Sequence, residues 1–298
     1  MLEARGLTRR YGDFVAVDDV SFSVAPGEVV GLLGHNGAGK TTIMKMLTAY
    51  LEPSAGEVLL DGSNVADAPD AAQVRIGYLP ENLPLYPELS VADYLAYVAR
   101  VRGLNAAEVV PQAVRATELE PKLVDPIATL SRGYKQRVGV AQAILHKPDF
   151  LILDEPTNGL DPSQTQHMRE LIQQLSEHAT VLLSTHIMQE VSAVCDRALI
   201  LRGGRLVVNE RLADLVETQA LQLEATGESV ESAIQNVAGV QSYVAQDGGW
   251  QVQVDGDIGE TAAALARALV EAGAAVHQLS PVRQDLEAVF RRVNEEVA

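Results

Sequence analysis

A chain of 298 residues, 47% hydrophobic and 4% aromatic, is long enough to bury a sizeable core and leans toward two domains. Its net charge of -17 at pH 7 speaks against a nucleic-acid partner and against direct adsorption to anionic lipid, since both need clustered Lys and Arg. No run reaches the roughly 18 apolar residues of a membrane span, residues 1–10 lack the apolar core of a secretion signal, and the one cysteine, Cys195, fits a reducing cytoplasm.

In chain order, residues 16–24 alternate polar and apolar side chains and read as a half-buried strand. The apolar run 29–33 reads as a buried strand, followed by a glycine-rich loop and a helix over 42–47. Residues 56–61 alternate like 16–24, which suggests an antiparallel layer beside the core. Residues 85–127 carry a helical pattern punctuated by Pro84, Pro87, Pro111, Pro121 and Pro126, an inserted helical subdomain spanning about 85–135. The runs 150–153, 181–184 and 198–201 join 29–33 as buried, mostly parallel strands, so residues 1–210 read as an α/β domain.

Past a linker at 211–219 the character changes. A strand is expected at 221–224, a helix at 230–237, and a hairpin of 241–245 with 250–254 across Asp247, Gly248 and Gly249. A helix at 261–272, a strand at 275–279 and a last helix at 285–293 follow. The order β-α-β-β-α-β is the ferredoxin-like plan, so residues 220–298 read as a small α+β accessory domain.

The loop Gly34-His35-Asn36-Gly37-Ala38-Gly39-Lys40-Thr41 has the spacing G-x-x-x-x-G-K-[ST] between a strand and a helix, the context of a phosphate-binding loop. Its glycines let backbone N–H groups and the helix N-terminus approach an anion. Lys40 would neutralise the β- and γ-phosphates and the Thr41 hydroxyl would hold magnesium, which makes Mg-ATP the expected ligand. His35 has no second residue spaced to form a metal site with it and reads as a loop residue.

The run 150–153 ends in Asp154 and Glu155, at the strand end where an α/β sheet binds ligand. Asp154 is the candidate magnesium acid and Glu155 the candidate general base or water-positioning group; two acids capping a helix ahead of Pro156 is the bland alternative. His186, at the end of the run 181–184, is placed to bond the γ-phosphate and orient Glu155.

These residues resemble the ATP-binding-cassette family, and the resemblance covers residues 1–210 without a gap. Its signature, commonly Leu-Ser-Gly-Gly-Gln, reads here Leu130-Ser131-Arg132-Gly133-Tyr134, matching at Ser131 and Gly133 and departing at Arg132 and Tyr134. The resemblance implies a P-loop cassette fold and a head-to-tail dimer in which Ser131 and Gly133 of one subunit contact the nucleotide held by the other. It implies adenine stacking by Tyr11, nucleotide contact by Thr42, and an interface-crossing loop at Asn158-Gly159-Leu160-Asp161. Gly77-Tyr78-Leu79-Pro80-Glu81 is similar to the segment that contacts the metal and the membrane subunit, with Glu81 where Gln is usual. The fragments at 77–87, 130–143 and 183–191 are most similar to exporter ATPases of the gliding-motility and nitrous-oxide-reductase-maturation types.

The expected function is ATP hydrolysis that drives a separate transmembrane permease, in the direction of export, from the inner face of the cell membrane, with a second nucleotide-binding subunit as partner. A soluble ATPase that remodels a complex is the alternative; such proteins often carry two cassettes or basic insertions, whereas this chain has one cassette and is acidic. A catalytically weak regulatory subunit is suggested by Arg132, Tyr134 and Glu81 and opposed by intact Lys40, Asp154, Glu155 and His186.

Overall fold

A computed structural model describes residues 1–246 and 248–283, and the chain divides into two compact units with the boundary between Leu212 and Ala213. The first unit opens with β1 (Leu2–Tyr11), β2 (Phe14–Val24), β3 (Val29–Leu33) and α1 (Lys40–Leu47). Next come β4 (Ala55–Leu60), β5 (Ser63–Asn64), α2 (Pro69–Arg75) and β6 (Ile76–Leu79). Helices α3 (Val91–Val101), α4 (Ala106–Ala116) and α5 (Arg132–Ile144) form the helical part. β7 (Phe150–Asp154), α6 (Pro162–Ser176), β8 (Thr180–Thr185), α7 (Met188–Val194), β9 (Arg197–Arg202) and β10 (Arg205–Arg211) complete it.

The strands form two sheets. One is antiparallel, in the order β2-β1-β4-β5; the other runs β10-β9-β3-β8-β7-β6 and is parallel apart from the β9–β10 pair. Every residue of β3, β7 and β8 is buried, as continuous Val, Leu and Ile runs require when both faces of a parallel strand are covered. Because β3, β8 and β7 are neighbours, the loops at their carboxyl ends converge on one edge of the sheet. Leu32, Ile152, Leu182 and Leu199 pack with Ile43 and Leu47 of α1 and with the antiparallel layer, while Leu151, Leu153 and Leu183 pack on Met168 and Ile172 of α6. The helical part has its own core around Tyr94, Leu95, Val114 and Val138.

Pro111, one of the prolines that punctuate the helical pattern, sits inside α4. The lost backbone bond is offset by the apolar face of that helix, where Val109, Val110, Ala113 and Val114 pack into the helical core. Residues 211–219, expected as a linker, carry helix α8 (Leu212–Val216) and the start of β11 (Glu217–Thr226).

The second unit continues with α9 (Val230–Gln235), β12 (Val240–Gln246), β13 (Gly249–Val254), α10 (Ile258–Glu271) and β14 (Ala275–Arg283). Its sheet has the order β12-β13-β11-β14, and each neighbouring pair is antiparallel. Leu221, Leu223 and Val252 pack against Ile234 of α9 and Leu265 and Leu269 of α10. Asp247 and the last helix, expected at 285–293, lie outside the described residues. Among the described residues no helix is long and apolar enough to cross a membrane.

Candidate active site

The glycine-rich loop links β3 to α1. At Gly34 a Cβ would meet the Leu201 carbonyl oxygen at 2.8 Å; Gly39 has φ 104° and a Cβ there would stand 2.7 Å from the Ala16 oxygen, so the loop's path requires glycine at both ends. Gly39 also caps α1 without any side-chain acceptor, which leaves the first N–H groups of the helix for an anion. Asn36 and Gly37 are exposed on the loop, Thr41 and Thr42 are half-buried, and Lys40 is 6% exposed. The Lys40 ammonium donates to the Gly34 carbonyl at 2.7 Å and lies 3.3 Å from Glu155 Oε1.

Asp154 ends β7 opposite Ser184 of β8 and is 0% exposed. Ser184 Oγ donates to Asp154 Oδ1 at 2.5 Å and accepts from the Glu155 N–H at 3.0 Å, so one hydroxyl orders both acids. Asp154 Oδ2 is buried without a hydrogen-bond partner among the described residues. Glu155 has φ 51°, a left-handed conformation that costs energy in a residue with a side chain. Its carboxylate is 2.9 Å from His186 Nδ1 through Oε2, and Lys40 faces Oε1. An Nδ1–H donated to Glu155 leaves Nε2 of His186, whose side chain is 42% exposed, for an outside partner.

Thr41, Asp154 and Glu81 line one pocket of about 470 Å³, bordered also by Tyr50, Tyr78, Arg102 and Gln142. Glu81 is exposed at its rim. The Tyr78 hydroxyl is buried without a partner among the described residues, and burial, then the charge of Asp154, pushes its pKa above the usual tyrosine value. Among the described residues no three His, Cys, Asp or Glu side chains cluster as metal ligands. A magnesium ion held mainly by phosphate oxygens needs no such cluster: one hydroxyl and one carboxylate suffice, and the unpaired Asp154 Oδ2 and Thr41 fit it.

The other expected site residues stand apart. Ser131 caps α5, its Oγ accepting from the Tyr134 N–H at 3.3 Å, and Asp161 caps α6, accepting from Gln164 N–H at 2.9 Å. A Cβ on Gly133 would meet Gln164 Oε1 at 2.7 Å, so the two helix starts interlock. Ser131, Gly133 and Asp161 line a second pocket, of about 460 Å³, to which Lys40, Asp154 and Glu155 do not contribute. The Arg132 guanidinium lies against Gly159, 2.5 Å from where a Cβ would stand, which ties this departure from the usual signature to the 158–161 loop. Tyr11 is 49% exposed at the end of β1, with the Arg9 guanidinium 4.9 Å from its ring centre. Sequence reasoning missed Gln136, 4% exposed, whose amide donates to the Pro156 carbonyl at 3.0 Å and so joins α5 to the Glu155 turn.

A phosphate loop, a buried acid pair and a histidine at the carboxyl ends of adjacent parallel strands define a nucleotide-hydrolysing P-loop protein, and the comparisons narrow the class. Residues 17–158 match the ABC transporter family. The Nod factor export ATP-binding protein I of Cupriavidus metallidurans is 36% identical over 224 residues, 74% of this chain and 74% of that protein. YdbJ of Bacillus subtilis, an uncharacterized ABC transporter ATP-binding protein, is 32% identical over 300 residues, 97% of this chain and 94% of its own length. A solved ATP-binding subunit of an ABC transporter is 36% identical, with a TM-score of 0.65 over 72% of this chain and 91% of that one. The chain belongs to the ATP-binding subunits of the ABC transporter family and is an ATP-hydrolysing enzyme.

Proposed function

We propose that this subunit hydrolyses Mg-ATP as a head-to-tail dimer and so drives export through a separate transmembrane permease. The observation that carries the hydrolytic part is the row Lys40–Glu155–His186, in which one buried carboxylate lies between a buried phosphate-loop ammonium and a half-exposed imidazole whose Nε2 is left for an outside partner. The backbone of Gly34, Asn36, Gly37 and Gly39, with Thr42, cradles the phosphates, Lys40 neutralises them, and Tyr11 stacks on adenine. Thr41 and Asp154 hold magnesium, with Glu81 at the rim of the same pocket; the ion supplies charge compensation for the β- and γ-phosphates. Glu155 orients the attacking water and takes its proton, while His186 holds Glu155 through Nδ1 and, with a proton on Nε2 as well, donates to the γ-phosphate.

Dimerisation is supported by the separation of the two sets of residues. Ser131 and Gly133 line a different pocket from Thr41 and Asp154, which fits their completing an ATP site on another copy, with Asp161 at the shared interface. The N-terminus of α5 then faces the γ-phosphate with its positive end.

The permease is supported by exposed large apolar side chains on the rim of the pocket that Thr41 and Asp154 line, or near in sequence to its lining residues. Tyr50 is 74% exposed on its rim, and Tyr86 and Val101, close in sequence to the lining residues Pro84 and Arg102, are 45% and 68% exposed. Replacing Tyr86 and Val101 by Asp is expected to leave the ATPase of the isolated subunit intact and to abolish its cosedimentation with native membranes. Unchanged cosedimentation would remove this surface from the account. Export is supported by the likeness to the Nod factor export subunit.

The strand order of the second unit supports a ferredoxin-like accessory domain that stabilises or regulates the dimer. Among the described residues, the hydrophobic clusters of the first unit contain none beyond Leu206, and that of the second none before Leu221. A chain ending at Leu212 is therefore expected to stay soluble and to bind ATP, measured by calorimetry. Aggregation of the shortened chain would show that the second unit completes the cassette's core.

A further inference from the structure

Behind the Lys40–Glu155–His186 row lies a carboxylate to which none of the foregoing assigns a part. Glu190, on α7, is 3% exposed and forms no ion pair among the described residues. Its Oε1 accepts from the Thr157 hydroxyl, and its Oε2 accepts from the Thr185 hydroxyl at 2.5 Å. Both threonines are buried, at 5% and 0% exposure. Thr185 immediately precedes His186, and its Oγ also accepts from the Ile187 N–H at 3.1 Å, which fixes the turn that carries the imidazole. Thr157 stands two residues past Glu155 and opens the 158–161 loop.

We propose that Glu190 is a positioning residue for hydrolysis: by holding Thr157 and Thr185 together it fixes the Glu155 turn, the His186 turn and the 158–161 loop as one rigid unit. A buried, uncompensated carboxylate is a costly choice for packing alone. What it offers is direction. A carboxylate only accepts, so both threonine hydroxyls must donate inward, and the Thr185 lone pair is left for the Ile187 N–H. The resulting chain, Ile187 N–H to Thr185 to Glu190 from one side and Thr157 to Glu190 from the other, has every proton assigned. In Glu190→Gln the shape is kept, but one arm becomes a donor, and one buried threonine proton loses its acceptor. The turn on that arm loosens, and with it the 2.9 Å contact between His186 and Glu155.

This inference rests on the hydrolytic reading of Glu155 and His186, and its test separates the two. Steady-state ATPase, calorimetric ATP affinity and thermal unfolding are measured for Glu190→Gln, Thr185→Val and Thr157→Val in the full chain, and Thr185→Val is repeated in a His186→Ala background. Glu190→Gln and Thr185→Val are each expected to lower kcat by about 10- to 100-fold, with ATP affinity within about twofold of the parent chain. In the His186→Ala background, Thr185→Val should lower kcat less than about twofold further, because its effect passes through the imidazole. Should Glu190→Gln fail to fold, Thr185→Val decides, since it removes one hydroxyl and keeps the side-chain volume. Wild-type turnover by either folded variant, or full additivity of Thr185→Val with His186→Ala, overturns the proposal. If instead Glu155→Gln itself turns over normally, the hydrolytic reading fails and takes this one with it.

Discussion

Replacing Glu155 by Gln is expected to lower steady-state ATP turnover by roughly 10²- to 10⁴-fold, the range for loss of a general base, while ATP still binds. The fold of the turn should survive. Glu155 keeps φ 51° because Ser184 Oγ and the Ser184 carbonyl both accept its backbone N–H, contacts that do not involve its carboxylate. Glutamine has nearly the same shape, but its amide can accept from only one of the two groups that face the acid. The other contact persists if His186 carries its proton on Nε2 and accepts the amide N–H at Nδ1, 2.9 Å away in the present geometry. The variant should therefore hold ATP without cleaving it. Near-normal turnover by purified Glu155→Gln would remove Glu155 as the base.

Lys40→Ala acts on the other side of the same row, and its effect falls on binding. The ammonium is 6% exposed and stands on a rigid loop whose course is set by Gly34 and Gly39. Deleting a charge-assisted contact in so desolvated a place costs roughly 2–3 kcal/mol, a loss of about 30- to 150-fold in ATP affinity. Glu155 retains His186 as a partner, so the folded chain should persist. Calorimetric titration that finds unchanged ATP affinity would contradict the assignment of the loop.

How much of this was legible follows from how local each signal is. The buried runs at β3, β7, β8 and β9 were readable because parallel strands covered on both faces need unbroken apolar sequence. β1 was not, since Gly6 and the shifts in pairing between Ala4 and Arg10 break its alternation, and Glu3, Arg5, Arg9 and Arg10 mask what remains. β6 is only Ile76–Leu79 and carries Gly77, which resembles a turn residue. The structure explains that glycine: a Cβ would meet the Ala143 carbonyl at 2.4 Å, so α5 packs directly on the strand's backbone.

The site divides in the same way. Lys40, Thr41, Asp154 and Glu155 lie within contiguous motifs, and His186 could be placed because it follows a recognisable strand end. Ser184, Gln136 and Glu190 carry no such pattern. Ser184 acts because β7 and β8 pair with Asp154 opposite it, and Gln136 because α5 lies over the Glu155 turn. Glu190 lies five residues from Thr185 but 33 from Thr157, so its double hydrogen bond exists only once the sheet has assembled.

The mass of the Glu155→Gln chain in solution tests most directly the proposal that two copies of the chain build each ATP site between them. Light scattering should find a species of one chain, 31.9 kDa, give way to two when Mg-ATP is added. The same chain carrying Ser131→Arg should bind ATP and stay at the mass of one. A single-chain mass with ATP bound, or pairing unaffected by Ser131→Arg, would contradict the shared site.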